Sequence, residues 1–455
     1  MALIELIRKY STSGPRYTSY PTAPQWKEEV SEDTYRRELE SRFAAPHEDL
    51  AMYVHIPFCE QLCYYCGCNI QITKDHGRSE AYLKALLREI QETAKLLGKR
   101  RSLSQVSWGG GTPTFFSSSE ITRLQNGILD CFDLAPGAEV SIEIDPRVTT
   151  NEQLETLKSV GFNRASLGVQ DFNESVQKAV NRIQSAEMTE KMLKTCHGLG
   201  FTGVNFDLMY GLPLQTLTTF QKTIEEVIRI KPDRIALYNY AHLPSLRPHQ
   251  KILEKLRMPD AEERVAIFSH AYEALISAGY RSIGMDHFAL EKDEMYQSLL
   301  DGRLYRNFMG YSVKKGAGLL GIGASAIGES PGAYFQNVRE AKNYEERIDK
   351  TGLATLRGCL LTEDDLERKW TIQSLMCQFR LDSKDFEKKF GKSFETKFQW
   401  ELSQLGDFFQ EGILEGNTSS MKVTNLGRLF VRNVAMLFDA YLKNPNQKAT
   451  YSKTV

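Results

Sequence analysis

The chain predicts an α/β fold: a partial, six-stranded (β/α) barrel, with an N-terminal arm before it and a smaller helical, winged-helix-like domain after it. Three observations predict this. Short β-rich runs alternate with longer amphipathic segments between about residues 50 and 285, the pattern of βαβ units and a parallel sheet. Unusual residues recur just after successive strands, and a parallel barrel gathers the C-terminal ends of its strands on one face. From Thr362 onward the chain is helix-rich and charged. The expected segments are an arm over 1–40, the barrel over 41–300, connecting loops near the site over 301–361 and the helical domain over 362–455.

The elements follow in order. The run Gly14-Pro15-Arg16-Tyr17-Thr18-Ser19-Tyr20-Pro21 reads as an arm rather than a packed unit. Strands are expected at Ala51–Ile56, Gln105–Trp108, Val140–Ile144, Arg164–Val169, Val204–Met209 and Arg234–Tyr238, with Arg281–Met285 a further candidate. Helices are expected at Glu80–Leu97, Ser119–Phe132, Glu152–Val160, Met188–Leu199, Phe220–Ile228 and Glu262–Ala278. Ser119 and Asn151 stand where caps belong. Cys59 follows the first strand, Gly109-Gly110-Gly111-Thr112 the second, and Asp145-Pro146-Arg147 the third. Gln170-Asp171 follows the fourth, Asp207 to Gly211 ends the fifth, and Asn239 to Pro244 follows the sixth. A doubly wound sheet would focus function on one switch point instead. A full barrel needs two more βα units, and both are not evident. Arg306–Ser312 and Gly316–Gly328, dense in Gly, Tyr and Phe, read as loops or short strands near a site. The last domain predicts a helix at Glu363–Gln378, a β patch at Met421–Val423 and a final helix around Leu426–Leu442.

Bulk properties exclude several classes. A chain of 455 residues exceeds a usual single domain. Its 41% hydrophobic and 25% charged content is ordinary for a globular protein. A net charge of −1 gives no case for nucleic acid or anionic membrane. The N-terminus carries Glu5 and Arg8 inside its apolar stretch, unlike a secretory signal, and no segment approaches the ~18 apolar residues of a membrane helix. A cytoplasmic monomer is expected, with no membrane insertion. Thiols stay reduced there, so crowding of four of the eight cysteines into Cys59, Cys63, Cys66 and Cys68 points to metal. Cys131, Cys196, Cys359 and Cys377 are scattered and read as small buried hydrophobes.

Cys59, Cys63 and Cys66 are spaced C-x3-C-x2-C, with Tyr65 just before the third. Three thiolates can hold three irons of a 4Fe–4S cube and leave the fourth iron open. The alternative is zinc, which takes two well-separated ligand pairs; no second pair is evident. Cys68 is not needed by such a cube. His55, ahead of the loop, reads as a packing or supporting residue rather than a ligand. The glycine run permits close approach of a ligand to backbone, and no Lys-Ser/Thr follows to make it a phosphate loop. Glu143 and Asp145 alternate along a strand and share a face; a carboxylate in a barrel mouth suits the hydroxyls or ammonium group of a bound cofactor, and a solvated or salt-bridged pair is the plainer alternative.

The cysteine spacing resembles the signature of the radical S-adenosylmethionine (SAM) enzymes. More closely, the chain resembles the oxygen-independent coproporphyrinogen III oxidase family nearly end to end. GPRYTSYPTA at 14–23, YVHIPFCEQLCYYCGCN at 53–69, WGGGTPT at 108–114 and GVQDFN at 168–173 carry the likeness. So do VNFDLMYGLPLQT at 204–216, YNYAHLP at 238–244, GMDHF at 284–288, RNFMGY at 306–311 and VTNLGRLFVRNVAMLFD at 423–439. The resemblance implies a radical SAM barrel in which Cys59, Cys63 and Cys66 ligate the cluster. It implies two bound SAM molecules. Tyr53, Gly110, Glu143 and Ile327 go with the cluster-bound one, and Tyr65, Gly111, Thr112, Gln170, Arg182, Asp207 and Ala241 with the second. Tyr65 and Cys68 are assigned to the catalytic machinery, with Cys68 tuning or protecting the site or serving in electron or hydrogen transfer. The implied reaction turns two propionates of coproporphyrinogen III into vinyls with loss of CO2, giving protoporphyrinogen IX in haem biosynthesis. A propionate Cβ–H is unactivated, so a 5′-deoxyadenosyl radical made from SAM abstracts the hydrogen, and the cofactor carries the chemistry. A reductant and an electron acceptor are implied partners. The substrate's carboxylates suit Arg16 or Arg306, since Arg pairs carboxylate bidentately. One departure stands out: Met309 occupies a position where the family commonly carries Gln, and Met lacks the amide's hydrogen bonds. The competing readings are a haem-binding chaperone and a haem-modifying radical SAM enzyme. Such chaperones generally lack the fourth cysteine and the RYTSYPTA segment, both present here.

Overall fold

In the computed structural model, which describes residues 3–41, 43, 48–443 and 451–454, all six expected strands form. They are β1 (Leu50–Ile56), β2 (Arg101–Gly110), β3 (Phe132–Ile144), β4 (Arg164–Gln170), β5 (Gly203–Tyr210) and β6 (Arg234–Asn239). Each pairs in parallel with the next. Long helices connect them: α1 (Gly77–Leu96), α2 (Ser118–Cys131), α3 (Asn151–Ser159), α4 (Ala186–Gly198) and α5 (Leu217–Ile230). The caps sit two residues and one residue earlier than the sequence indicates. Ser117 and Thr150, not Ser119 and Asn151, accept from the third backbone N–H and close capping boxes with Glu120 and Gln153.

The strand sequences decide which face is dry. Along β5 Val204, Phe206, Leu208 and Tyr210 are buried, whereas Asn205, Asp207 and Met209 point the other way. In α5, Phe220, Thr223, Ile224, Val227 and Ile230 are buried at helical spacing. Burying one such Leu, Ile or Phe is worth roughly 1.5–3 kcal/mol. The opposite sheet face is polar. Register sets Tyr53 beside Ser107, Ser107 beside Ser141, Glu143 beside Ser166, Ser166 beside Asn205 and Gly168 beside Asp207.

The other edge of the sheet was not legible as such. β7 (Leu319–Ile322), from the Gly-rich stretch expected to hold loops or short strands, pairs with β1 in parallel. β8 (Ile327–Ser330), β9 (Ala333–Asn337) and β10 (Thr355–Leu360) extend it antiparallel. These elements lie in one compact unit, Lys27–Ala278 with Lys314–Leu360.

α1 ties β7–β9 to β1 through buried polar groups. Glu89 accepts from Gly323 N (2.8 Å), Asn337 Nδ2 (2.7 Å) and Tyr344 Oη (2.6 Å). Tyr82 Oη donates to His55 O (2.9 Å) and accepts from Ala324 N (2.7 Å). Burial pushes the Glu89 carboxyl up to about 7 despite these donors. The unfolded chain therefore gives up this proton first as pH rises, so the group's contribution to stability is present below about pH 4.5 and lost by about pH 7. That span corresponds to roughly 3 kcal/mol. Glu89→Gln, which imitates the protonated form, is expected to flatten this part of the pH–stability curve in urea titrations of the two proteins.

The second unit is drawn from Met1–Trp26, Gly279–Val313 and Leu361–Val455. Its N-terminal stretch is packed, contrary to the expectation of a loose arm. Leu3–Tyr10 is a helix that buries Leu6, Ile7 and Tyr10. Tyr17 and Tyr20 are 4% and 2% exposed. Tyr17 Oη donates to Asp439 (3.0 Å), and buried Arg432 donates to Pro15 O (2.9 Å) and to Gly14 O. Arg16 is paired with Asp286. The one-turn spacing of residues 6, 7 and 10 was too short a signal against the surrounding charges. The candidate strand at Arg281–Met285 forms as Tyr280–Gly284, antiparallel to His287–Leu290, and belongs to this unit. Met309 sits in the turn between Tyr305–Asn307 and Gly310–Ser312, its N–H bonded to Asn307 Oδ1 (2.8 Å). The C-terminal part combines short helices with a three-stranded antiparallel sheet of Arg380–Asp382, Ser420–Val423 and Leu414–Gly416. The helix expected at 363–378 ends as an α-helix at Gln373, and a π-helical turn covers Ser374–Gln378. Among the described residues no helix is long and apolar enough to cross a membrane.

Candidate active site

The cysteine loop leaves β1 and is tied at its base by backbone. Phe58–Cys59 pairs with Gln71–Ile72, with Gln71 N to Pro57 O at 2.7 Å and Thr73 N to Cys59 O at 2.9 Å. Its crest is held by one later segment. Gln250 Nε2 donates to Tyr65 O (3.0 Å), His249 Nε2 to Cys66 O (2.8 Å) and Arg247 Nη2 to Gly67 O (2.5 Å). Sequence reasoning missed this clamp, because a polar run around Pro248 looks like any exposed loop. Gln250 Nε2 also reaches Ala241 O at 3.4 Å, which joins Ala241 to Tyr65. The Tyr65 side chain packs with Tyr64 against Val176, Val180, Leu212, Tyr240 and Leu253.

Cys63 is buried, Cys59 and Cys66 are half-buried and Cys68 is exposed. Cys59 Sγ lies 3.4 Å from Thr112 Oγ1; burial pushes its thiol up to about 12. A proton donated by Cys68 holds the Cys66 thiol down at about 7. Arg147 Nη2 and Arg182 Nη1 approach Cys63 Sγ at 3.5 and 3.8 Å. Both also bond Asp145 Oδ2, at 2.7 and 3.1 Å. Burial acts to raise the Asp145 carboxyl, but these two guanidiniums outweigh it and hold the group below its usual range. Asp145 is thus a salt-bridged carboxylate, the plainer of the two readings. A cleft of ≈ 370 Å³, lined in part by Cys59, Thr112, Asp145 and Arg147, opens beside them.

Glu143 stands on the polar sheet face and accepts from Gly110 N at 3.1 Å. The side chain is exposed at the open end of the sheet, yet partial loss of solvation among the surrounding strands and the charge of Asp207 still push its carboxyl upward. Asp207 is held by Ser166 Oγ and Asn205 Nδ2, each at 2.9 Å. Tyr53 Oη lies 3.2 Å from His55 Nδ1, and His55 Nε2 lies 2.9 Å from Asn69 O. Burial lowers the His55 ring to about 4. The neutral tautomer that satisfies both contacts carries its proton on Nε2, so His55 braces the loop rather than acting as a ligand. Gln170 has a left-handed backbone, φ 66°, and its amide and Arg182 both crowd Gly168. Arg182 Nε is buried without a hydrogen-bond partner. Ile327 lies against Gly321, which pairs with Tyr53.

These residues fit an iron–sulfur cube. Three thiols of one loop lie within electrostatic reach of one another, and cationic N–H donors face one sulfur, as a thiolate requires. Among the described residues no three His, Cys, Asp or Glu side chains converge on a point that one metal ion could fill. A closed zinc site needs four such ligands, whereas a cube spreads its sulfurs around a larger body. The glycine run is demanded by the chain's own packing: an added Cβ on Gly109 would meet the Glu143 carboxyl at 2.7 Å, and on Gly110 the His55 ring at 2.6 Å.

A family model described as the radical SAM superfamily matches residues 53–227. The chain is 41% identical over 452 residues to the oxygen-independent coproporphyrinogen III oxidase of Salmonella typhimurium, covering 99% of this chain and 98% of that one. It is 41% identical to the enzyme of the same name from Pseudomonas aeruginosa, over 98% of this chain and 97% of that one. Among solved structures, coproporphyrinogen III oxidase from Escherichia coli, described as a radical SAM enzyme, superposes with a TM-score of 0.90 at 39% identity, over 96% of this chain and 98% of that chain.

Proposed function

The chain belongs to the oxygen-independent coproporphyrinogen III oxidases, and from that membership we propose how its residues divide the work. It is a radical SAM oxidoreductase that uses a 4Fe–4S cluster and SAM and converts two propionates of coproporphyrinogen III to vinyls with release of CO2. The observation that carries this reading is the loop of Cys59, Cys63 and Cys66 beyond the C-terminal end of β1, in contact with Thr112 after β2, Arg147 after β3 and Arg182 after β4.

When bound, the cluster and SAM supply a carbon radical able to take hydrogen from an unactivated C–H. The chain's own residues bind, orient and shield. Cys59, Cys63 and Cys66 hold three irons, and Cys68 stays outside the ligand set. Backbone of Gly110 with Glu143, Tyr53 and Ile327 forms the place for the cluster-bound SAM. Glu143 accepts from the Gly110 N–H and, exposed at the mouth, can also accept from the cofactor's amino group. Gly111, Thr112, Gln170, Arg182, Asp207, Ala241 and Tyr65 serve a second SAM; the unmet Nε of Arg182 suits a carboxylate there. The parallel array β1–β6 is the partial barrel that aims these groups at one mouth. The helical part of the smaller unit is the winged-helix-like domain. An external one-electron donor and a terminal acceptor complete the reaction, in a cytoplasmic monomer.

Anaerobic reconstitution with iron and sulfide tests the reading. The expected outcome is a coloured protein with about four irons per chain, reductive release of deoxyadenosine from SAM, and vinyl product with CO2 from coproporphyrinogen III. Stable haem retention without turnover would favour a haem chaperone instead.

A further inference from the structure

Arg147 is assigned no role by the resemblance, yet its guanidinium is 13% exposed and aimed at a cluster cysteine. It forks Asp145 through Nε (3.0 Å) and Nη2 (2.7 Å), and the same Nη2 lies 3.5 Å from Cys63 Sγ. Arg182 reaches the same carboxylate oxygen from the other side at 3.1 Å and the same sulfur at 3.8 Å. Two cations share one anion, so one positive charge is left over beside a buried sulfur. Neither guanidinium loses its charge at any accessible pH, and charges count for more here than in water because the groups are largely desolvated.

We propose that Arg147 is a positioning residue for electron entry: its N–H bond to Cys63 Sγ and the surplus charge it shares with Arg182 raise the reduction potential of the cluster bound there. Net charge and hydrogen bonds to sulfur are among the levers that set such potentials. One electron arrives from an external low-potential donor and no bond forms or breaks, so the added negative charge is what the cation stabilises. Asp145 aligns Arg147 through the fork and at the same time limits the surplus to one charge. The inference rests on Cys63 being a cluster ligand.

The test is a dithionite redox titration of the reconstituted wild type, R147Q and R147K, followed by the electron paramagnetic resonance of the reduced cluster, with iron and sulfide counted in each. The expected result is full iron in all three, with the midpoint of R147Q more negative than wild type and that of R147K between them. Lysine keeps the charge but loses the fork, an ordering that a merely structural role would not produce. A midpoint of R147Q equal to or more positive than wild type overturns the proposal. If R147Q does not retain iron, R147K decides: a more negative midpoint supports the proposal and an unchanged one overturns it. A wild type that takes up no cluster would overturn the ligand assignment itself and is recognised by the iron count alone.

Discussion

Cys63→Ala is expected to abolish cluster uptake and SAM cleavage, with iron falling to background, while Cys68→Ala keeps both. The two sulfurs lie five residues apart in one loop but in different surroundings. Cys63 is buried under Arg147 and Arg182, whereas Cys68 is exposed. A cube held by three thiolates loses a third of its protein ligands when one is removed, and Cys68, whose thiol bonds that of Cys66, lies on the far side of the loop sequence from Cys59 and is exposed. The folded chain itself should tolerate the change. The loop is shaped by bonds that owe nothing to sulfur: Tyr64 N to Val180 O at 3.0 Å, Gln71 N to Pro57 O at 2.7 Å and Gln250 Nε2 to Tyr65 O at 3.0 Å. Truncating a side chain this small costs on the order of 1 kcal/mol. Iron and sulfide counts on reconstituted protein, together with thermal melts of the apo forms, separate ligand loss from misfolding. Wild-type iron in Cys63→Ala would contradict the ligand set, and iron loss in Cys68→Ala would add a fourth member to it.

The sequence made the parallel strands readable because each carries a period-two apolar face bounded by helices with a clear apolar stripe; Val204 to Tyr210 followed by Phe220 to Ile230 is the plainest case. The cysteine loop stood out because four of the eight cysteines crowd into residues 59–68. What stayed hidden depends on contacts between distant residues. Arg247, His249 and Gln250 hold the loop crest from about 180 residues away, and no local pattern marks a donor that serves a remote carbonyl. β7 to β10 were hard to place because strands of four to six residues without a long alternating pattern resemble loops until a neighbouring edge is known. The N-terminal segment misled for a related reason. Its Tyr17 and Tyr20 are buried by residues more than 400 positions away, among them Asp439. Asp145 shows the same limit at a single site: strand alternation places it beside Glu143, but only the arginines show that one carboxylate is paired and the other is not.

The glycine run after β2 offers a graded test of how the chain's packing beside the proposed cofactor place supports binding. An alanine Cβ at 109 would meet only the Glu143 carboxyl, at 2.7–2.8 Å. That is the far end of a flexible side chain, so Gly109→Ala should cost SAM affinity about tenfold, roughly 1.4 kcal/mol. At 110 the added carbon meets the His55 ring at 2.6 Å, on a backbone with φ +117° that L side chains rarely adopt. The ring cannot swing away without releasing Tyr53 and Asn69 O. Strain of about 1–3 kcal/mol adds to the clash, and SAM affinity should fall by more than about 100-fold with the cluster retained. At 111 the obstacle is backbone: Pro57 and Phe58 carbonyl atoms at 2.7 Å, directly before Cys59. Backbone there cannot yield without moving the first ligand, so Gly111→Ala should lose iron as well as SAM. Equilibrium binding of SAM to the reconstituted variants, beside their iron content, orders the three. A Gly111→Ala protein that keeps its iron and binds SAM better than Gly109→Ala would mean that the run is spaced for chain packing alone and that the cofactor lies elsewhere.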